Sequence, residues 1–149
     1  MKIKAIKLIS IFVFISLSGY VSASTSDSFS VFDTAINLDE SCNIHITNKS
    51  GKSSVQSPFH TSVNAVKKCR IVTHPHTSIV NTKFINGGYI VFVENNHTEL
   101  ETCFSEYTAF QIMKTGEVNM AGLIKRSGSC FQSKEGQDFE YFSAKINKK

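Results

Sequence analysis

The chain has 149 residues, with 16 Lys+Arg against 12 Asp+Glu, four Cys, two Pro and no Trp, 41% of it apolar and 19% charged. These proportions fit one compact domain and exclude wholesale disorder, a collagen-like repeat or a large enzyme with separate cofactor and substrate halves. The formal charge of +4 hints at acidic partners, but it is unevenly placed.

Lys2, Lys4 and Lys7 form a basic head, residues 8–20 an apolar run, and Val21-Ser22-Ala23 a stretch of small residues suited to signal peptidase. This order predicts a cleavable export signal over 1–23 and a single domain over 24–149. As a helix the apolar run rises about 20 Å, short of the ~30 Å hydrocarbon core, so no stable membrane anchor is expected. No cysteine adjoins the cleavage site, so the chain does not read as a lipoprotein. Three lysines and no acid leave with the signal, so the mature chain has 13 basic and 12 acidic residues. Net charge then argues for neither nucleic acid nor an anionic membrane as partner.

In the mature chain, Phe29, Phe32 and Ile36 fall at spacings of three and four behind Asp27 and Ser28 as caps, which predicts a short amphipathic helix over 29–38. Cys42, Ile44 and Ile46 then alternate with polar residues, the period of a half-buried strand. Residues 48–62 read as a polar loop, and 66–73 and 78–85 as strands on either side of His74-Pro75-His76. Asn86-Gly87-Gly88 suits a tight hairpin into 89–94, and Asn95-Asn96-His97 reads as a further turn. A long strand over 103–113, a hairpin at 114–117, a strand over 118–124 and a last strand over 139–146 complete the pattern. The class indicated is mainly β: an antiparallel sandwich or partly closed barrel of six to seven strands with one short N-terminal helix.

Cys42, Cys69, Cys103 and Cys130 all belong to the mature chain. Export carries them into an oxidising compartment, where an even number predicts disulfides. Three pairings are open. No Cys-x-x-Cys occurs, which removes the usual thioredoxin and zinc-ribbon signatures.

No P-loop, dinucleotide fingerprint, Gly-x-Ser-x-Gly or His-Glu-x-x-His is present, so no strong enzyme motif points to catalysis and no catalytic or cofactor-binding residues are assigned. The most suggestive group is histidine. His74 and His76 would share one side of an extended chain, and His97, with His45 or His60 as alternatives and Glu94 as a carboxylate, would complete a zinc site. Against this, Pro75 favours a loop, where exposed histidines are common. Phe104, Phe110, Ile112, Phe139 and Phe142 would line a ligand cavity or, more simply, pack a core.

From residue 84, Phe84-Ile85-Asn86-Gly87-Gly88-Tyr89-Ile90-Val91-Phe92 is followed by Glu94-Asn95-Asn96-His97-Thr98 and Glu106-Tyr107-Thr108-Ala109-Phe110-Gln111-Ile112. Lys114-Thr115-Gly116-Glu117-Val118 and Cys130 come next, ahead of Gly136 and Phe139. This order resembles the VirK family of small exported bacterial proteins, over the second half of the chain only. The resemblance implies export, a virulence-associated context and no established catalytic residues.

The leading expectation is an exported, disulfide-bonded protein, periplasmic or extracellular, that acts by binding another protein as an inhibitor, immunity or virulence-associated factor. The alternatives are a secreted metal-dependent hydrolase using His74 and His76, or a small-ligand carrier barrel.

Overall fold

Residues 29–38 build a hairpin, not the expected helix. In the computed structural model, which describes residues 27–59, 68–74, 76–99, 102–128 and 138–146, β1 (Ser28–Val31) pairs antiparallel with β2 (Thr34–Leu38) across a two-residue turn. The turn residues Phe32 and Asp33 have φ of 50° and 57°, the left-handed pair of a type I′ turn, whose twist matches that of the strands. Phe29, Phe32 and Ile36 mimic helical spacing because one of them occupies the turn. Thr34, Ile36 and Leu38 are buried in alternation with exposed Ala35 and Asn37, a period of two that a strand alone satisfies. The small sheet continues through β3 (Ile44–Thr47), which points Ile44 and Ile46 inward as expected, to β4 (Ser53–Gln56). β4 lies in the stretch read as a loop; its residues are mostly exposed, so pairing with β3 and not apolar patterning holds it in place.

The second sheet is built on two long strands. Before them come β5 (Lys68–Ile71) and β6 (Thr82–Ile85), joined by an excursion that carries the His74 loop. β7 (Gly88–Glu99) and β8 (Thr102–Met113), 12 residues each, pair along their whole length. β5 and β6 lie in succession along the outer side of β7; β9 (Val118–Met120) and β10 (Lys125–Ser127) do the same along β8. The Asn86-Gly87 turn has φ of 50° and 85°, the hairpin expected from its sequence. Asn95, Asn96 and His97 do not turn the chain; they continue β7. Polar residues are tolerated there because the sheet supplies partners for them, such as the Lys68 N–H that donates to Asn95 Oδ1 at 3.1 Å.

The pleat divides the large sheet's side chains between two cores. Val91, Val93, Phe110 and Ile112 join Ile36, Leu38, Ile44 and Ile46 of the small sheet in one cluster. Ile90, Phe92 and Ala109, on the opposite face, pack against Phe142 and Ile146 of α1 (Phe139–Ile146). The fold is thus mainly β, with two antiparallel sheets sharing a core and a short helix on the far face of the larger one. Among the described residues the sheets do not close into a barrel, there are ten strands and not six or seven, and the helix is C-terminal and not N-terminal.

The expected last strand is this helix. Phe139, Phe142 and Ile146 are three and four apart, and Asp138 caps the first turn by accepting from the Tyr141 N–H at 2.8 Å. Phe139 and Phe142 meet Phe92 edge-on, with ring centroids 4.9 and 5.1 Å apart, which favours the stripe that a helix presents over the alternation of a strand. Burial, and then the neighbouring Asp138 and Tyr141, push the Tyr107 phenol beneath this helix above its usual pKa.

Candidate functional site

Cys42 and Cys69 form a disulfide with Cα atoms 5.4 Å apart, tying the small sheet to β5 of the large one. Cys103 is disulfide-bonded as well; Cys130, the fourth cysteine, lies outside the described residues, as do the export signal expected over 1–23 and His60. No described cysteine is free.

Cys42 is presented by a turn with a φ of 66°, unusual for a side-chain-bearing residue. Asp39 holds the turn. Its carboxylate accepts from the Ser41 and Asn43 N–H groups at 2.9 and 2.8 Å, from Asn43 Nδ2 at 3.2 Å, and meets His45 Nε2 at 2.7 Å. The His45 hydrogen bond first, with help from Asn43 and Ser41, lowers the Asp39 pKa to about 2. His45 is therefore half of a structural pair on the outer face of the small sheet.

The histidines singled out from the sequence are not gathered. His74 and His76 sit in the exposed excursion between β5 and β6, with rings 5.9 Å apart. His97 lies in β7, toward the end from which β5 runs away as it approaches His74, since Lys68 pairs with Asn96 and Ile71 with Val93. Among the described residues no three His, Cys, Asp or Glu side chains are placed to share a metal ion.

His97 instead belongs to a buried polar network that its sequence context, read as a turn, does not announce. Its ring stacks on Phe104, with centroids 4.6 Å apart. Its Nε2 lies 3.0 Å from Asn95 Nδ2 and 3.1 Å from Glu106 Oε2, and Arg126 Nε donates to Glu106 Oε1 at 2.9 Å. On the other face of the same strand Glu94, the candidate carboxylate ligand, is buried and bonded to Arg70. Each buried carboxylate thus faces a guanidinium, which compensates its loss of water. Both carboxylates are engaged in ion pairs within the sheet.

The exposed chemistry lies elsewhere. An open groove of about 420 Å³ runs between residues 29–31 of β1 on one side and residues 78–80 with Thr82 of β6 on the other, with Tyr89 of β7 also lining it. Ile79 is 67% exposed and Phe84, beside the groove, 46%. Phe32, Phe84 and Tyr89 form one aromatic group, with centroids 5.2 to 6.4 Å apart, and Lys114 Nζ stands 5.2 Å from the Phe84 ring. The sequence hid this feature. Its near wall was read as a helix, and its far wall joins the chain only because the excursion at 73–80 is pinned by the Thr73–Val80 bridge and the His74 N–H bond to Ile79 O at 2.7 Å.

Among the described residues no helix is long and apolar enough to cross a membrane. No protein-family model, no curated protein and no solved structure matches the chain.

Proposed function

We propose that the protein is exported and works in an oxidising compartment, periplasmic or extracellular, by binding another protein through the groove beside β1. The observation that carries this reading is the apolar, neutral lining of that groove together with the exposure of Ile79 and Phe84 next to it. Large apolar side chains gathered in one exposed place mark interaction surfaces more often than isolated ones do. The Cys42–Cys69 disulfide and the signal-like order of residues 1–23 support the compartment. The VirK-like order of the second half supports the same reading, an exported protein in a virulence-associated context.

A photo-crosslinking residue placed at Ile79, compared with the same residue at Thr47 on the exposed outer face of the small sheet, tests the assignment in the producing cell. A discrete adduct with one envelope or extracellular protein is expected from position 79 and none from position 47. Adducts of equal yield from both positions, or from neither, contradict it. N-terminal sequencing of the exported form is expected to begin at Ser24; an intact precursor in the membrane fraction contradicts the export signal.

A further inference from the structure

We infer that the groove receives an extended peptide segment of the partner as an added strand on β1, with apolar side chains at alternate positions and an acidic group beside Lys114. This rests on the protein-binding reading above and specifies the chemistry of the partner.

The edges of the two sheets differ in how they are protected. β5 carries Lys68 and Arg70, and β10 carries Lys125 and Arg126; charges of this kind discourage another chain from pairing. β1, Ser-Phe-Ser-Val, has no charge and no proline, and only β2 pairs with it among the described strands. β4 and β9 are also uncharged, but they contribute nothing to the groove.

The register sets which backbone groups face the groove. In a two-residue hairpin the closing pair exchanges both of its hydrogen bonds and the next pair exchanges none. Val31 and Thr34 close the first hairpin, so Ser30, opposite Ala35, turns its N–H and C=O away from β2. Ile85 and Gly88 close the second, and the same parity turns the backbone of Thr82, opposite Val91, away from β7. Ser30 and Thr82 both line the groove. Each wall therefore offers an outward donor and acceptor, the requirement for strand addition.

Side chains and charge narrow the occupant. Phe29 and Val31 flank Ser30, and Ile79, Val80 and Tyr89 complete an apolar surface with no charged residue in the lining. Alternate side chains of an added strand repeat at roughly 6.6 Å and fall on this surface. Lys114 is exposed beside Phe84 and makes no ion pair among the described residues, whereas Lys83, the other nearby lysine, is paired with Glu140. An acidic side chain or a terminal carboxylate of the peptide complements Lys114.

Selection of random dodecapeptides displayed on phage against the oxidised mature protein, followed by fluorescence polarisation with the selected peptides, tests the inference. The expected sequences have apolar residues at alternate positions and an Asp, Glu or free C-terminus. Ser30→Pro removes the outward N–H at an edge position where proline is tolerated. It is expected to weaken binding about tenfold, as loss of one or two backbone hydrogen bonds would. Ile79→Ser and Lys114→Glu are expected to weaken it too, and Val55→Ser on β4 to leave it unchanged. N-methylation of alternate peptide amides gives the same loss without touching the protein, and so covers the case in which Ser30→Pro perturbs folding. Binding unaffected by Ser30→Pro and by N-methylation, while the crosslink from position 79 persists, overturns strand addition and leaves the protein-binding reading standing. Failure to enrich any peptide overturns the inference, as does self-association abolished by Ser30→Pro, which would make a second copy the occupant.

Discussion

Asp39 joins the hydrogen bonds of one turn to the placement of a disulfide. Four donors converge on its carboxylate, and Cys42 takes its left-handed conformation inside the loop they define. Because the folded-state pKa lies at about 2, below the ordinary 3.8, the stabilisation is complete above about pH 4 and is lost as the pH falls through about 2. Asp39→Ala is therefore expected to cost about 1 kcal/mol at pH 7, measured by urea unfolding, with the penalty shrinking as the pH is lowered toward 2. A penalty independent of pH would remove the carboxylate from this role. At this scale the sequence was partly legible. The cysteines could be assigned to disulfides from their number and from the expected export, but the Cys42–Cys69 pairing depends on bringing the turn between β2 and β3 onto β5, which no spacing encodes. His97 was noticed for its nitrogen, while its partner Glu106, and the Arg126 that bonds Glu106 in turn, come from strands that only register brings beside it.

Among the elements, β3, the Asn86-Gly87 hairpin and β8 were readable because period and turn chemistry agreed. The helix expected over 29–38 and the strand expected over 139–146 failed where they did not. Phe32-Asp33 forms a type I′ turn without the Gly or Asn that normally announces one. Eight residues from Phe139 to Ile146 satisfy both a strand alternation and a helical stripe, and tertiary contact with Phe92 decides between them. A sharper dependence on local geometry is expected at Gly88, where β7 leaves the hairpin. A Cβ built there would lie 2.6 Å from the Ile112 carbonyl oxygen across the ladder, so backbone and not a flexible side chain must move. Gly88→Ala is expected to destabilise by about 2 kcal/mol in chemical denaturation, and to broaden or shift the NMR signals of β6 and β8 near the hairpin. An unperturbed variant would show that the β7–β8 pairing is looser than its register implies.

For the molecule as a whole, two sheets of unequal size share one core, and the Cys42–Cys69 bond joins them through a separation of 27 residues. A crosslink of that span is expected to contribute about 3–4 kcal/mol by restricting the unfolded chain. The double variant Cys42→Ser, Cys69→Ser should lose that much in urea unfolding, and a loss below about 1 kcal/mol would place the sheets' cohesion in the core alone. The same two-sheet arrangement leaves β1 as an uncharged edge at the mouth of the groove, and in the proposed function partner binding depends on that edge. Residue-resolved amide exchange of the mature protein, with and without a peptide that it binds, tests this most directly. Slower exchange at Ser30 with no change along β4 is the expected result. Protection confined to β4 or the outer face of the small sheet, with Ser30 exchanging as fast as in the free protein, would contradict it.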